Sequence, residues 1–147
     1  MARINASLAD VSTKNEPIPP DAYRLKITEI KEKTEGGRQN FNMKLQINDG
    51  GDYQGRVIFH NIAMHKTDGT PNSIGAADIK RFFEAVLGVD PEDDSYNWDD
   101  VDTDMLLNQE VIADVYIDNW EKKGPDGSVV DKGQNNKIKA QTVQAVR

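Results

Sequence analysis

The clearest hydrophobic pattern in the chain lies between Ser73 and Gly88. Five apolar side chains recur there at the spacing that places them on one face of a helix: Ile79, Phe82, Phe83, Val86 and Leu87. Ser73 is the predicted N-cap, and Gly88 suits the left-handed position that follows a helix. Pro91 prevents any continuation. The pattern therefore predicts one amphipathic helix.

The rest of the chain mostly alternates apolar and polar positions, which is typical of half-buried strands. Five strands are predicted, at residues 22–33, 40–48, 56–63, 111–118 and 137–146. A long polar loop at 119–136 is expected to form a hairpin with its tip at Pro125-Asp126-Gly127. The four phenylalanines are all predicted to lie in the core: Phe41, Phe59, Phe82 and Phe83.

The predicted element order is β-β-β-α-β-β, which is the order of the OB-fold, a five-stranded, partly open Greek-key barrel. The helix of that fold closes one end of the barrel. We therefore predict an all-β domain with one helix over residues 17–147. Residues 1–16 are predicted to form an N-terminal arm, and residues at about 90–104 an acidic insertion.

Composition excludes several kinds of site. The chain has no cysteine, so it has neither disulfides nor thiolate metal ligands. His60 and His65 lack partners at zinc-ligand spacing, and no nucleophile motif, catalytic carboxylate pair or phosphate-binding loop is present. We expect no enzymatic activity, no metal and no cofactor. The sequence contains no apolar run long enough for a signal peptide or a membrane span, so we expect a cytoplasmic protein with no membrane partner.

The net charge of −7 argues against nucleic-acid binding, because phosphate neutralisation supplies most non-specific affinity. The charge is unevenly distributed, however, since most of the excess lies in residues 90–104. This segment has no glycine at the sixth position of an EF-hand loop. It is interpreted as a solvated linker, with partner recruitment or self-masking as the alternative.

Oligonucleotides cross the second and third strands of an OB-fold, between the loops that join strands one to two and four to five. Here those loops are residues 31–38 and 119–136, and each contains several cations. The second also contains Trp120, and an aromatic ring beside lysines provides base stacking together with phosphate contacts. The predicted DNA-binding residues are Trp120, Lys122, Lys123, Arg38, Lys33, Lys44, Tyr53, Arg56, Tyr116, Lys137 and Lys139.

Each aromatic in that set also has a structural interpretation. Trp120 could anchor the loop on the barrel rim, and Tyr116 could be a cross-strand packing partner. Tyr53 could belong to an ordinary turn and cover the core. The sequence leaves both interpretations open for all three residues.

Three stretches carry a resemblance to a known family: IPPDAYRLKITEIKEKTEGGRQNFNMKLQI, GGDYQGRVIFHNIAM, and IKRFFEAVLG followed by an acidic linker and MLLNQEVIADVYI. With these stretches the chain resembles short phage-encoded single-stranded DNA-binding proteins of OB-fold type. The resemblance implies sequence-independent binding of single-stranded DNA during phage DNA replication or recombination, in the host cytoplasm. Phage replication or recombination proteins are then candidate partners.

A different class of function remains open. The same fold could be a protein-interaction or virion structural module with an acidic surface that does not bind DNA. The net charge favours this alternative, whereas the strand order, the loop chemistry and the resemblance favour DNA binding. The sequence does not indicate an oligomeric state.

Overall fold

The computed structural model describes residues 2–3 and 16–146. Nearly all of the predicted N-terminal arm therefore lies outside the described residues. The described chain forms six strands and one α-helix: β1 (Asp21–Glu35), β2 (Arg38–Ile47), β3 (Val57–Ala63), α1 (Ser73–Leu87), β4 (Glu110–Lys123), β5 (Val129–Ile138) and β6 (Gln144–Ala145). Short 3₁₀ helices occupy Trp98–Asp100, Thr103–Leu106 and Ala140–Thr142.

All strands belong to one antiparallel sheet with the order β3-β2-β1-β4-β5, and β6 pairs with β4. This confirms the predicted fold class, an all-β, OB-like fold with one helix. β3 and β5 are the two edge strands. No ladder joins them within the described residues, so the sheet is open along this line.

The core lies between the inner face of the sheet and helix α1. β2 shows the alternation most clearly, since Phe41, Met43, Leu45 and Ile47 are buried while the intervening polar residues face outward. β1 and β4 contribute in the same way, through residues such as Leu25 and Val111 that are completely buried. Period-two burial of this kind places one face of each strand on the core.

Helix α1 confirms the predicted stripe, with Ile79, Phe82 and Phe83 buried against the sheet. Gly88 adopts the left-handed conformation at φ 70°, as predicted. The predicted N-cap is wrong by one residue. Asn72 is the N-cap, because its side-chain oxygen accepts a hydrogen bond from the Ile74 amide at 3.2 Å.

The prediction for the fifth strand is wrong. β5 runs over Val129–Ile138, not over 137–146, and most of the predicted loop at 119–136 is instead the outer half of the β4–β5 hairpin. Backbone hydrogen bonds between the two strands define this part of the hairpin. Neither of its faces lies on the core, so its sequence does not alternate apolar and polar residues.

The predicted tip of the hairpin is confirmed. Asp126 accepts hydrogen bonds from the Ser128 amide and hydroxyl, which hold the pKa of that carboxyl below its usual value.

Phe59 is not in the core, contrary to prediction. Its side chain is 60% exposed, whereas Ile58 and Ile62 on the same strand are buried. The prediction failed because Val57, Ile58 and Phe59 are three consecutive apolar residues, which do not show which face of the strand is inside.

The acidic segment is fixed to the helix through Trp98. The Trp98 ring makes an edge contact with Phe83 at a centroid distance of 6.4 Å, and the Lys80 ammonium lies 5.0 Å from its centroid. Asp90, Glu92, Asp93 and Asp94 are exposed. The segment is therefore solvated on one side and packed on the other.

No helix in the described part of the chain is long and apolar enough to span a membrane.

Gly75 provides a test of how closely α1 lies on the sheet. A Cβ atom at this position would lie 1.9 Å from the carbonyl oxygen of Ala63. Replacing glycine by alanine inside a helix usually stabilises a protein by about 0.5–1 kcal/mol. Gly75→Ala should instead lower the free energy of unfolding by about 1–3 kcal/mol, because α1 must move away from β3. Urea unfolding measures the difference.

Gly51→Ala is the matched control. The nearest neighbour of its added Cβ is the exposed Asp49 side chain at 3.3 Å, which can move aside. The control should change the free energy of unfolding by less than about 0.5 kcal/mol. If Gly75→Ala is as stable as the control, the helix is not held against Ala63.

Candidate nucleic-acid interface

A groove of about 400 Å³ separates the edge strands β3 and β5. Residues 16–18 lie across it and tie the two edges together. The Ile18 amide donates to Asn136 Oδ1 at 2.9 Å, and Asn136 Nδ2 donates to the Ile18 carbonyl at 3.0 Å. On the other side, Arg56 Nη2 donates to the Glu16 carbonyl at 2.5 Å. Both edges thus line a groove that is open to solvent.

Phe59 stands on the outer face beside this groove. It pairs across the strands with Lys44, and cross-strand partners share one face of a sheet. Among the described residues Lys44 has no carboxylate partner within ion-pair distance. An exposed aromatic ring with an unpaired cation beside it can stack on a base and contact the adjoining phosphate.

Phe59 is not among the DNA-binding residues that the sequence predicts. The alternation of β2 is the signal that points to this residue, because it places Lys44 on the outer face of the sheet. Pairing Lys44 with Phe59 then places the ring outside as well. Using this signal requires the register between the two strands, which the sequence does not provide.

Trp120 is both anchored and exposed. It lies opposite Gly133 in the β4–β5 ladder. A Cβ atom on Gly133 would lie only 2.5–2.8 Å from three atoms of the indole ring, so the ring covers the glycine backbone directly. The side chain remains 37% exposed. It lines a second groove, of about 620 Å³, together with Glu16 and Pro17.

Tyr116 and Lys137 form another cross-strand pair of the same hairpin, four residues from Trp120 along β4. The Lys137 ammonium lies 2.9 Å from the Asp118 carboxylate. The hydrogen bond to Asp118 raises the pKa of Lys137, so this lysine is charged at neutral pH. Part of its charge is already neutralised by Asp118, which weakens its use as a phosphate ligand.

Lys33 and Arg38 lie at the opposite end of the face from Arg56. Lys33 pairs with Asn40, which pairs with Ala63 at the end of β3. Arg56 immediately precedes β3, and six residues of strand span about 20 Å. The first hairpin and Arg56 therefore stand at opposite ends of the β3 edge. Arg38 Nη1 donates to the Thr67 carbonyl at 3.5 Å.

The remaining predicted residues are placed differently. Lys122 and Lys123 are exposed near the end of β4, beyond Trp120, with no ion-pair partner among the described residues. Tyr53 lies in the turn between β2 and β3, in edge contact with Tyr23 at 6.2 Å. Lys139 follows β5 and is exposed. Neither Tyr53 nor Lys139 lines the groove between β3 and β5.

Carboxylates limit the positive potential of this face. Lys31 lies 3.4 Å from Glu29, and Lys33 lies 3.7 Å from Glu35. Lys44 and the lysines beyond Trp120 are thus better available for phosphates. Exposed ion pairs are weak and exchange readily, so they reduce but do not abolish phosphate binding.

The two histidines are bound within the fold. His60 Nε2 lies 2.8 Å from Asp78 Oδ2, and His65 Nδ1 accepts a hydrogen bond from the Gln39 amide at 3.0 Å. Within the described residues no group of three or more His, Asp or Glu side chains could hold a metal ion.

The fold and this face define an OB-like β protein with one helix and an aromatic-flanked groove along its open edge. A family model described as "Protein of unknown function (DUF669)" matches residues 4–143. The chain therefore belongs to this family. No curated protein matches it.

Proposed function

We propose that the protein binds single-stranded DNA without sequence preference, on the outer face that carries Phe59 and Trp120. The observation that carries the proposal is the exposure of Phe59, at 60%, directly opposite Lys44 on an OB-like sheet. Val57, two residues earlier on the same face of β3, is also exposed. The two side chains form an apolar patch, and an exposed apolar patch favours a role in binding.

The mechanism follows from the chemistry of the face. Bases stack on Phe59 and Trp120. The phosphates of the DNA backbone contact Lys44 and the lysines that follow Trp120. Stacking tolerates every base because each has a π face, so this arrangement gives no sequence preference. The open groove between β3 and β5 provides space for a flexible single strand, while a rigid duplex cannot present its bases to the aromatic rings.

The proposed biological setting is phage DNA replication or recombination in the host cytoplasm, with phage replication or recombination proteins as partners. It is supported by the resemblance of the three sequence stretches described above to phage single-stranded DNA-binding proteins. Replication and recombination both expose single strands that a protein of this kind would cover.

A second candidate function is an interaction module or virion component that avoids nucleic acid. The net charge of −7 favours it. So do the ion pairs that Lys31, Lys33 and Lys137 make with neighbouring carboxylates. The exposed aromatic residues would then contact a protein surface instead of bases.

A polarisation titration distinguishes the two functions. Fluorescein-labelled single-stranded DNA, the matching duplex and single-stranded RNA are titrated with the protein at low and moderate salt. We expect saturable binding of single-stranded DNA, similar for oligonucleotides of different sequence, and much weaker binding of the duplex. Affinity should fall with added salt, because phosphate contacts release counterions.

Two results would contradict the proposal. Equal binding of duplex and single strand would indicate a general electrostatic surface without stacking. No binding of any nucleic acid at low salt would favour the interaction module.

A further inference from the structure

A third groove lies between helix α1 and β6, apart from the candidate nucleic-acid interface. Its volume is about 560 Å³, which is within the usual range for binding sites. Five small apolar residues line it, from the end of the helix, the residues that follow it and the C-terminal part of the chain: Ala85, Val89, Pro91, Val143 and Ala145. None of the predicted DNA-binding residues lines this groove.

β6 offers backbone hydrogen-bonding groups at this groove. Gln144 and Ala145 pair with Ile112 and Val111 of β4 along one edge. Within the described residues no strand pairs with the opposite edge of β6. An extended peptide can add to such an edge through its main chain, with alternate side chains directed into the groove.

The charges around the groove are predominantly negative. Among the described residues Arg81 is the one cation that lines it, whereas Glu84 and Asp90 contribute two carboxylates. Three further exposed carboxylates follow Pro91 in the sequence: Glu92, Asp93 and Asp94. Hydrogen bonds from the Ser95 hydroxyl and amide hold the pKa of Asp93 below its usual value, so its negative charge persists in weak acid.

The segment that carries these carboxylates begins at the groove, which Asp90 and Pro91 line, and it is not a free linker. Trp98 packs on Phe83 of the helix, and Tyr96 contacts the Trp98 ring at a centroid distance of 4.7 Å. The segment between Pro91 and Trp98 is therefore held at both ends. Pro91 lies at the groove soon after the end of the helix, and Trp98 packs on Phe83. A fixed acidic rim repels acidic peptides and nucleic acid and attracts a cationic partner.

We propose that this groove binds an extended segment of a partner protein in which aliphatic residues alternate with lysine or arginine. The aliphatic side chains enter the groove, and the cations face the acidic rim. This partner site is independent of DNA binding, so the protein can hold a strand and a second protein on different surfaces.

The test uses three labelled synthetic peptides of equal length and measures fluorescence polarisation. One alternates leucine with lysine, one leucine with glutamate, and one serine with lysine. We expect saturable binding of the leucine–lysine peptide. The other two should bind at least about tenfold more weakly, because one lacks the cations and the other lacks the apolar side chains.

Variants then locate the site. Glu84→Gln with Asp90→Asn should weaken leucine–lysine binding by about tenfold at low salt. The asparagine side chain introduced by Asp90→Asn retains an oxygen that can accept the hydrogen bond from the Glu92 amide, so the turn is preserved. Asp52→Asn with Glu121→Gln removes the same charge at exposed positions elsewhere and should leave binding unchanged. Ala145→Arg, at an exposed position on β6, should reduce binding by repelling the peptide cations.

Equal loss in both double variants, or equal binding of the serine–lysine peptide, would show attraction to overall charge and overturn the proposal. Failure of the leucine–lysine peptide to bind would also overturn it. Single-stranded DNA titrated against the same variants separates the two sites. Its affinity should not fall in Glu84→Gln with Asp90→Asn, whatever the peptide result.

Discussion

Replacing Phe82 by alanine should lower the free energy of unfolding by about 3–5 kcal/mol, the usual cost of removing a buried aromatic ring. Phe82 is completely buried, where helix α1 covers the core of the sheet. Its ring also lies 5.8 Å from that of His60, which holds Asp78 of the same helix. The cavity left by the ring would therefore weaken the contact between helix and sheet. Denaturant unfolding followed by far-ultraviolet circular dichroism measures the change.

Phe59→Ala is the matched control, since it makes the same chemical change at a residue that is 60% exposed. It should alter the free energy of unfolding by no more than about 0.5 kcal/mol. Similar losses in both variants would mean that Phe59 is covered in solution. A loss below about 1 kcal/mol for Phe82→Ala would mean that the helix does not close the core.

The sequence was most informative where one face of an element is buried. β2 alternates strictly, and the stripe of α1 repeats at helical spacing, so burial of Met43 or Phe82 could be predicted from position alone. The element order then indicated the OB-like fold, because the helix falls between the third and fourth strands. These predictions required no knowledge of distant contacts.

The errors occurred where burial does not alternate. The outer half of the β4–β5 hairpin is exposed on both faces, so only backbone pairing defines it, and a polar loop was the natural interpretation. Ile18 is nearly completely buried although it stands among prolines outside any strand. Its burial depends on Asn136, which is distant in sequence and fixes the Ile18 backbone.

The candidate site could be predicted in part. Trp120 was identified by its neighbouring lysines, but its contact with Gly133 depends on the register of the hairpin. The sequence predicts Phe59 in the core because its strand begins with three apolar residues. The carboxylate partners of Lys33 and Lys137 are set by side-chain placement, so a count of cations overstated the positive charge of the face.

Replacing both Phe59 and Trp120 by alanine should weaken single-stranded DNA binding about a hundredfold or more. Each stacked base contributes roughly 1–3 kcal/mol by alanine substitution, and both rings lie on the outer surface beside the open edge of the sheet. Each single variant should lose about tenfold, because 1.4 kcal/mol corresponds to a factor of ten. Polarisation titration with a labelled oligothymidine measures the losses.

A charge variant on the same hairpin separates stacking from phosphate contacts. Lys122→Gln with Lys123→Gln should flatten the dependence of affinity on salt, since each lost phosphate contact removes about 0.7 from the slope on single strands. The aromatic variants should keep the parental slope, because stacking releases no counterions. At moderate salt the lysine variant should therefore approach the parent, while the aromatic variants remain weak.

Tryptophan fluorescence gives an independent result for the same ring. The chain has two tryptophans, so Trp98→Phe leaves Trp120 as the sole indole and retains an aromatic ring beside Phe83 and Lys80. Oligonucleotide should quench the remaining emission if a base stacks on Trp120. Unquenched emission, together with parental affinity of the double alanine variant, would show that bases do not contact these rings. The exposed aromatic face would then be a protein-binding surface. The ion pairs of Lys33 and Lys137 with carboxylates agree with that role, because they reduce the positive charge available for phosphates.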